Sequence, residues 1–175
     1  MAQRTKSETA DVRTLLSPWC QGYGIDVGPG GDKILPQAIS VDLVEPYAFW
    51  GSDPVQLGGD ARNLYWFNDS VLDYVYSSHL LEDFEDTVGV INELTRVLKL
   101  NGNLVLYLPD EQLFRKYCLA HDQPGNLSHK HAHFGPAYLQ ECMAKSNYSL
   151  ELVFDSGIVN HYSFAHVYKK RCYAL

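Results

Sequence analysis

Apolar residues in this chain come in short runs broken by glycine, proline and polar residues, and their period changes from run to run. Residues 23–27 and 39–43 read as strands, and residues 55–57 as part of a third. Residues 70–76 carry Val71, Leu72, Tyr74, Val75 and Tyr76, a β-branched and aromatic mixture that predicts a fourth. Residues 103–108 are almost purely apolar, as in a parallel strand covered on both faces. Helical spacing appears in residues 10–19, through Val12, Leu15, Leu16 and Trp19, with Pro18 as the limit. It is stronger in residues 83–98, where Val90, Ile91, Leu94, Val97 and Leu98 share a face. Acidic residues crowd the start of that segment, where the helix dipole favours them, and Asn101-Gly102 marks its stop. Residues 111–120 and 136–145 predict two shorter helices, the second with proline at its first position. Residues 149–154 and 163–169 predict a closing antiparallel hairpin. Strands alternating with helices imply an α/β sheet, mostly parallel, with an antiparallel C-terminal hairpin. Residues 1–20 read as a tail, loose to residue 9, and a short helix; residues 21–175 read as one domain.

Charge narrows the partners. The net charge is -7, which argues against nucleic acid, whose phosphates need clustered Lys and Arg. The one dense basic run, Lys169-Lys170-Arg171, reads as a solvated chain end. Cys20, Cys118, Cys142 and Cys172 are far apart and form no C-x-x-C pair. The first eleven residues are polar, without the apolar core of a signal peptide. A reducing, cytoplasmic setting is the expectation. No apolar run approaches a membrane span, so no membrane partner is expected.

Ligands of open α/β sheets sit beyond the carboxyl ends of the strands, so the residues after each strand carry the candidate chemistry. The first strand holds Asp26 and runs into Gly28-Pro29-Gly30-Gly31, a turn whose backbone can approach a ligand without a Cβ in the way. The second ends near Asp42, whose carboxylate can accept from both hydroxyls of a ribose. Gly59-Asp60-Ala61, Ser77-Ser78-His79 and Pro109-Asp110 follow the others. The glycines do not fit G-x-G-x-x-G, and no G-x-x-x-x-G-K-[ST] occurs, which excludes a P-loop. The constellation is shaped for a nucleoside.

"GIDVGPGG", "VDLVEP", "GDARNL", "LDYVYSSHLLEDFED" and "ELTRVLKLNGNLVLYLPD" follow one another in the order found in class I S-adenosylmethionine-dependent methyltransferases. From about residue 22 to 154 the chain resembles their small methyltransferase-11-like branch. The resemblance implies a Rossmann-like sheet, methyl transfer and S-adenosyl-L-methionine as cofactor. It implies that Asp26, Gly28, Pro29 and Gly30 line the methionine end of the cofactor. Asp42 and Leu43 would meet the ribose, Asp60 and Ala61 the adenine. Ser77, Ser78 and His79 would lie beside the methionine and the methyl acceptor. The chain departs from the family at two places. Asp32 stands where the D/E-x-G-x-G-x-G pattern has its third glycine. Residues 28–38, with Pro36 among them, are too few for a crossover helix, and residues 44–54 hold Pro46 and Pro54. Weak binding, a partner that completes the site and lost activity all remain open.

His79 is a candidate general base, since an imidazole titrates near neutral pH; it also reads as a packed side chain. Glu82 reads as part of the next helix's acidic first turn. His129, His131 and His133 alternate, but no Cys, Asp or Glu at ligand spacing joins them. The resemblance implies that "SHKHAHF" is a substrate-pocket loop; the alternative is plain surface, and no metal is expected. Tyr47, Phe49, Trp50, Tyr65, Trp66 and Phe67 lie in loops and read mostly as core or lid, with some as cover for the adenine or a partner face. The acceptor is expected to be a small molecule or carbohydrate-like. The alternative is an inactive cofactor-binding module that acts through a partner subunit; a homodimer or such a partner would complete the trimmed site.

Overall fold

The computed structural model describes residues 6–46 and 50–173; of the aromatics above, Tyr47 and Phe49 lie outside them, as do residues 1–5 of the tail. The chain order is α1 (Glu8–Leu16), β1 (Gly24–Val27), β2 (Ile39–Asp42), β3 (Leu57–Gly58), β4 (Leu72–Ser78), α2 (Thr87–Arg96), β5 (Leu98–Pro109), α3 (Glu111–Ala120), α4 (Pro136–Ala144), β6 (Tyr148–Val159) and β7 (Ser163–Tyr173). The strands form one sheet in the order β3-β2-β1-β4-β5-β7-β6. Strands β1 to β5 pair in parallel, while β7 runs antiparallel to both β5 and β6. This is the expected Rossmann-like α/β sheet with its C-terminal hairpin.

Two cores lie on the faces of the sheet. One joins Ile25, Val27, Val41, Val75, Leu104 and Leu106 to Ile91 and Leu94 of α2 and to Leu139 and Met143 of α4. The other joins Tyr74, Tyr76, Val105 and Tyr107 to Val12 and Leu16 of α1 and to Ile34 and Ala38. Ile34 and Ala38 belong to the β1–β2 connection, which holds turns and bends but no helix. Two apolar side chains thus take the place of the crossover helix that eleven residues could not build. Among the described residues the β2–β3 and β3–β4 connections also contain no helix.

Several boundaries differ from the sequence reading. The segment read as a helix from residue 83 begins at Thr87, because the Asp86 carboxylate accepts from the Gly89 amide and caps it there. Leu81–Asp83 forms a separate 3₁₀ turn before it. The helix ends by Val97 rather than at Asn101-Gly102. Lys170 Nζ donates to the carbonyls of Thr95 (2.9 Å) and Leu98 (2.7 Å), and the chain enters β5 at once. Lys170, read as part of a solvated end, is therefore buried, with 4% of its surface exposed. At the other end the tail is shorter than expected: α1 begins at Glu8, Ser7 caps it, and Ser7 and Thr9 are buried. The four cysteines are unpaired, three of them buried. No helix among the described residues is long and apolar enough to cross a membrane.

Candidate active site

The carboxyl ends of β1, β2 and β4 open on two cavities that share Gly28, Asp42 and Leu80 as wall. One, of about 240 Å³, is lined by the glycine turn, by Ser7, Glu8 and Thr9 of the N-terminal segment, and by Ser78, His79, Glu82, Phe114, His129 and Tyr162. The other, of about 290 Å³, is lined by Leu43, Asp60, Ala61, Arg62, Asp83 and Phe84, among others. A divided groove at the carboxyl edge of a parallel sheet is where such folds hold ligands.

The turn between the strands is built for close approach. Gly28 has φ +74 and Gly30 φ +54, backbone that L side chains rarely adopt. A Cβ on Gly28 would come within 3.2 Å of the Leu80 side chain in the wall. The turn is held from below and behind. The Gly28 amide donates to the Val41 carbonyl (2.8 Å), and the Trp50 and Asp53 amides donate to the carbonyls of Gly30 and Gly31. Asp32, at the family's third glycine, accepts from the Ser7 hydroxyl and from Arg13 at 2.5 Å. That carboxylate ties the start of α1 to the turn, and so brings Glu8 and Thr9 to the cavity.

Asp42 accepts from the Gly30 amide (3.2 Å) and the Leu43 amide (2.8 Å) and faces both cavities. Burial pushes its carboxyl up, and the two amide bonds pull the other way. Asp26 lies in neither wall. It is fully buried beneath the turn, where it accepts from the Ile34 amide at 2.6 Å. Burial pushes its carboxyl up to about 8. Asp60 is gripped by the Arg62 guanidinium, at 2.9 and 2.6 Å, which holds its carboxyl below the usual range. Ser77 is buried and donates to the Val27 carbonyl; Ser78 and Pro29 line the first cavity, Ala61 and Leu43 the second.

His79 has φ +48, a left-handed conformation that is uncommon for a non-glycine residue. Its amide donates to Tyr107, and its Nε2 meets Ser163 Oγ at 3.1 Å. Nδ1 lies 3.7 Å from Glu82 Oε1. Of the alternating histidines, His129 alone lines a cavity. Its Nδ1 is 2.5 Å from Glu111 and its Nε2 3.8 Å from Glu82. His131 bonds the Phe84 carbonyl (2.9 Å) and the Tyr138 hydroxyl (3.1 Å), and the exposed His133 lies edge-on to the Tyr138 ring; neither reaches a cavity. No group of three or more His, Cys, Asp or Glu among the described residues is arranged to hold a metal.

Glu82 is the site residue that sequence reading missed. It sits not on a solvated helix turn but inside the wall, 1% exposed, and its Oε2 has no hydrogen-bond partner. Burial, then the nearby carboxyls of Asp83, Glu8 and Glu111, push it well up. The one sequence signal was its offset of three residues from His79. Of the loop aromatics, Trp50 reaches the first cavity, Trp66 packs on Gly59, Phe67 is buried and Tyr65 is exposed.

Residues 11–106, more than half of the chain, match the family Methyltransf_11, "Methyltransferase domain". No curated protein matches the sequence. Among solved structures, the methyltransferase of Haloferax volcanii in complex with the Trm112 methyltransferase activator superposes with TM-score 0.67 at 14% identity, covering 94% of this chain and 91% of that one. A SAM-dependent methyltransferase of Archaeoglobus fulgidus gives 0.69 at 17% identity, covering 93% and 92%. A SAM-dependent methyltransferase of Thermotoga maritima, described as a possible histamine N-methyltransferase, gives 0.65 at 20% identity, covering 94% and 88%.

Proposed function

The chain belongs to the methyltransferase domain family, whose cofactor is S-adenosyl-L-methionine, and from that premise we propose that it transfers a methyl group to a small-molecule or carbohydrate-like acceptor. The observation that carries the proposal is the pair of cavities joined at Gly28, Asp42 and Leu80, with a carboxylate at the junction. The residues present fit the cofactor. Asp42, at the junction of the two cavities, would accept from ribose hydroxyls, with Leu43 beside it. Asp60 and Ala61 would meet the adenine in the second cavity. Gly28, Pro29 and Gly30 would take the methionine end over the buried Asp26, with Ser77 and Ser78 at the end of β4. When bound, the cofactor supplies an electrophilic methyl group on a sulfonium. The protein then has to position the acceptor, exclude water and take a proton. His79 is the candidate for that proton, with His129 on the acceptor side; His131 and His133 support the loop that carries His129.

Isothermal calorimetry with S-adenosylhomocysteine tests the reading. The parent chain should bind, and Asp42→Ala should bind more weakly by ~1.5–3 kcal/mol, the worth of hydrogen bonds to a charged group. Unchanged affinity would remove the ribose role of Asp42. Activity on small acceptors, followed by mass spectrometry as products one methyl group heavier, completes the test.

A second reading, an inactive module completed by a partner subunit, draws support from the connections around β1 to β3, which contain no helix among the described residues, and from the Haloferax volcanii neighbour, which is in complex with an activator. Turnover that appears only when a second protein is added would favour it.

A further inference from the structure

The cavity beside His79 differs in charge from its neighbour. Glu8 and Glu82 line it, beside Asp42 at the junction, and among the described residues no Lys or Arg does. The second cavity is lined by Arg62 and Lys130 as well as by acids. The first cavity also has aromatic wall from Trp50, Phe114 and Tyr162, whose ring faces attract cations. Within it Glu82 is buried almost completely, and its Oε2 lacks a donor. The neighbouring imidazoles do not supply one. His79 Nδ1 and His129 Nε2 stand 3.7 and 3.8 Å from the other oxygen, Oε1. His79 Nε2 is turned to Ser163 and lies 3.6 Å from Glu8 Oε2, and His129 Nδ1 is turned to Glu111, which Arg115 holds in turn. A buried carboxyl oxygen with no donor costs stability unless a ligand brings one.

We propose that this cavity is a cation site, which captures the methyl acceptor as an ammonium ion and removes one of its protons through Glu82 before transfer, leaving to His79 the proton that the methylated nitrogen sheds afterwards. The proposal rests on the methyl-transfer reading and names the acceptor class for it. An ammonium offers N–H donors and no acceptor, which matches an unpaired carboxyl oxygen and an all-acidic charged wall. The groups facing Glu82 are Glu8 from α1, His79 after β4, Asp83 on its own turn, Glu111 from α3 and His129 from the loop before α4. With the cavity empty, burial and the nearby carboxyls of Asp83, Glu8 and Glu111 push the Glu82 carboxyl well up and favour its neutral form. An entering ammonium reverses the sign of its neighbourhood, and the carboxyl gives its proton to solvent. One N–H proton of the ammonium then moves to the carboxylate. The nitrogen keeps the bonding pair as a lone pair, and the acid is neutral again. The balance is one ammonium in, one free amine in the cavity and one proton released.

Calorimetry on the full chain, saturated with S-adenosylhomocysteine and run in buffers of different ionisation enthalpy, reads that proton directly. The probes are a panel of small alkyl- and arylalkylammonium ions, each paired with the alcohol of the same shape. Ammonium ions should bind better than their alcohols and release protons at neutral pH. In Glu82→Gln the ammonium affinity should fall by about 10- to 100-fold and the proton release should vanish, while the alcohols bind as before. Glu8→Gln, which alters the rim and leaves Glu82 in place, should weaken ammonium binding and keep the proton release. Alcohols that bind as well as amines, or proton release that persists in Glu82→Gln, would overturn the cation site. Failure of S-adenosylhomocysteine to bind, with ammonium capture intact, would instead remove the methyl-transfer reading and leave the cation site standing.

Discussion

Asp26 makes stability depend on pH in an unusual direction. Its carboxyl is pushed up to about 8 by burial, against the pull of the Ile34 amide, with Asp32 and Asp42 adding to the rise. In the unfolded chain an aspartate titrates near ~3.9. Below that value both states hold the proton, and nothing depends on it. Between about 4 and 8 the unfolded chain has lost a proton that the folded chain keeps, so rising pH favours unfolding, by at most about 1.4 kcal/mol per pH unit. Glu82 adds in the same direction. Urea unfolding should therefore show stability falling from pH 5 to 8, and Asp26→Asn should flatten the slope while keeping an acceptor for Ile34. An unchanged slope would show that Asp26 titrates normally. Gly28→Val should fold poorly or lose cofactor affinity, since φ +74 and a Leu80 contact both oppose a β-branched side chain. A folded Gly28→Val chain with normal calorimetry would make the turn purely structural. These residues differ in how well sequence reveals them. Gly28, Asp42 and Asp60 stand where strands end and could be named in advance. Glu82 lies in a run of acids that resembles a helix start, and only the fold turns it inward.

At the level of elements, α2 is finished by a side chain from the far end of the chain. Lys170 on β7 donates to Thr95 and Leu98 carbonyls and lies 4.5 Å from the Tyr148 ring centroid. Lys170→Met keeps the buried stem but leaves carbonyls unpaired, so thermal or urea unfolding should report a loss of ~1–3 kcal/mol. A loss near zero would mean that water replaces the ammonium. The strands were legible because apolar runs of that length have few alternatives in an α/β chain. The ends of α2 were not, because a carboxylate cap at Asp86 and a distant lysine set them. Local acidic and asparagine-glycine signals pointed a few residues away at each end.

For the whole molecule, α1 is a wall of both core and site. Val12 and Leu16 cover Tyr74, Tyr76, Val105 and Tyr107, while Ser7 and Arg13 fasten the helix to Asp32. Removing residues 1–16 should expose that aromatic face, seen as dye binding and a sharp loss of cooperative unfolding; a truncated chain that melts normally would reduce α1 to an ornament. The sequence foretold the missing crossover helix but not that α1, Ile34 and Ala38 would fill that face. Filling space is decided by what meets across the sheet, which a linear pattern does not contain. The helix-free links also bear on how the chain reaches its shape. Pairing Ile25 with Ile39, or the two arms of the β6–β7 hairpin, closes a short loop. Pairing β1 with β4 must wait for everything from β2 to the start of β4 to be gathered in, and loop-closure entropy makes such distant contacts slow. The seam between β1 and β4, on which the ligand groove is mounted, is with the β5–β7 seam one of the two long-range joints of the sheet, so a bound ligand acts as a clasp on a joint that the chain must close across a long loop.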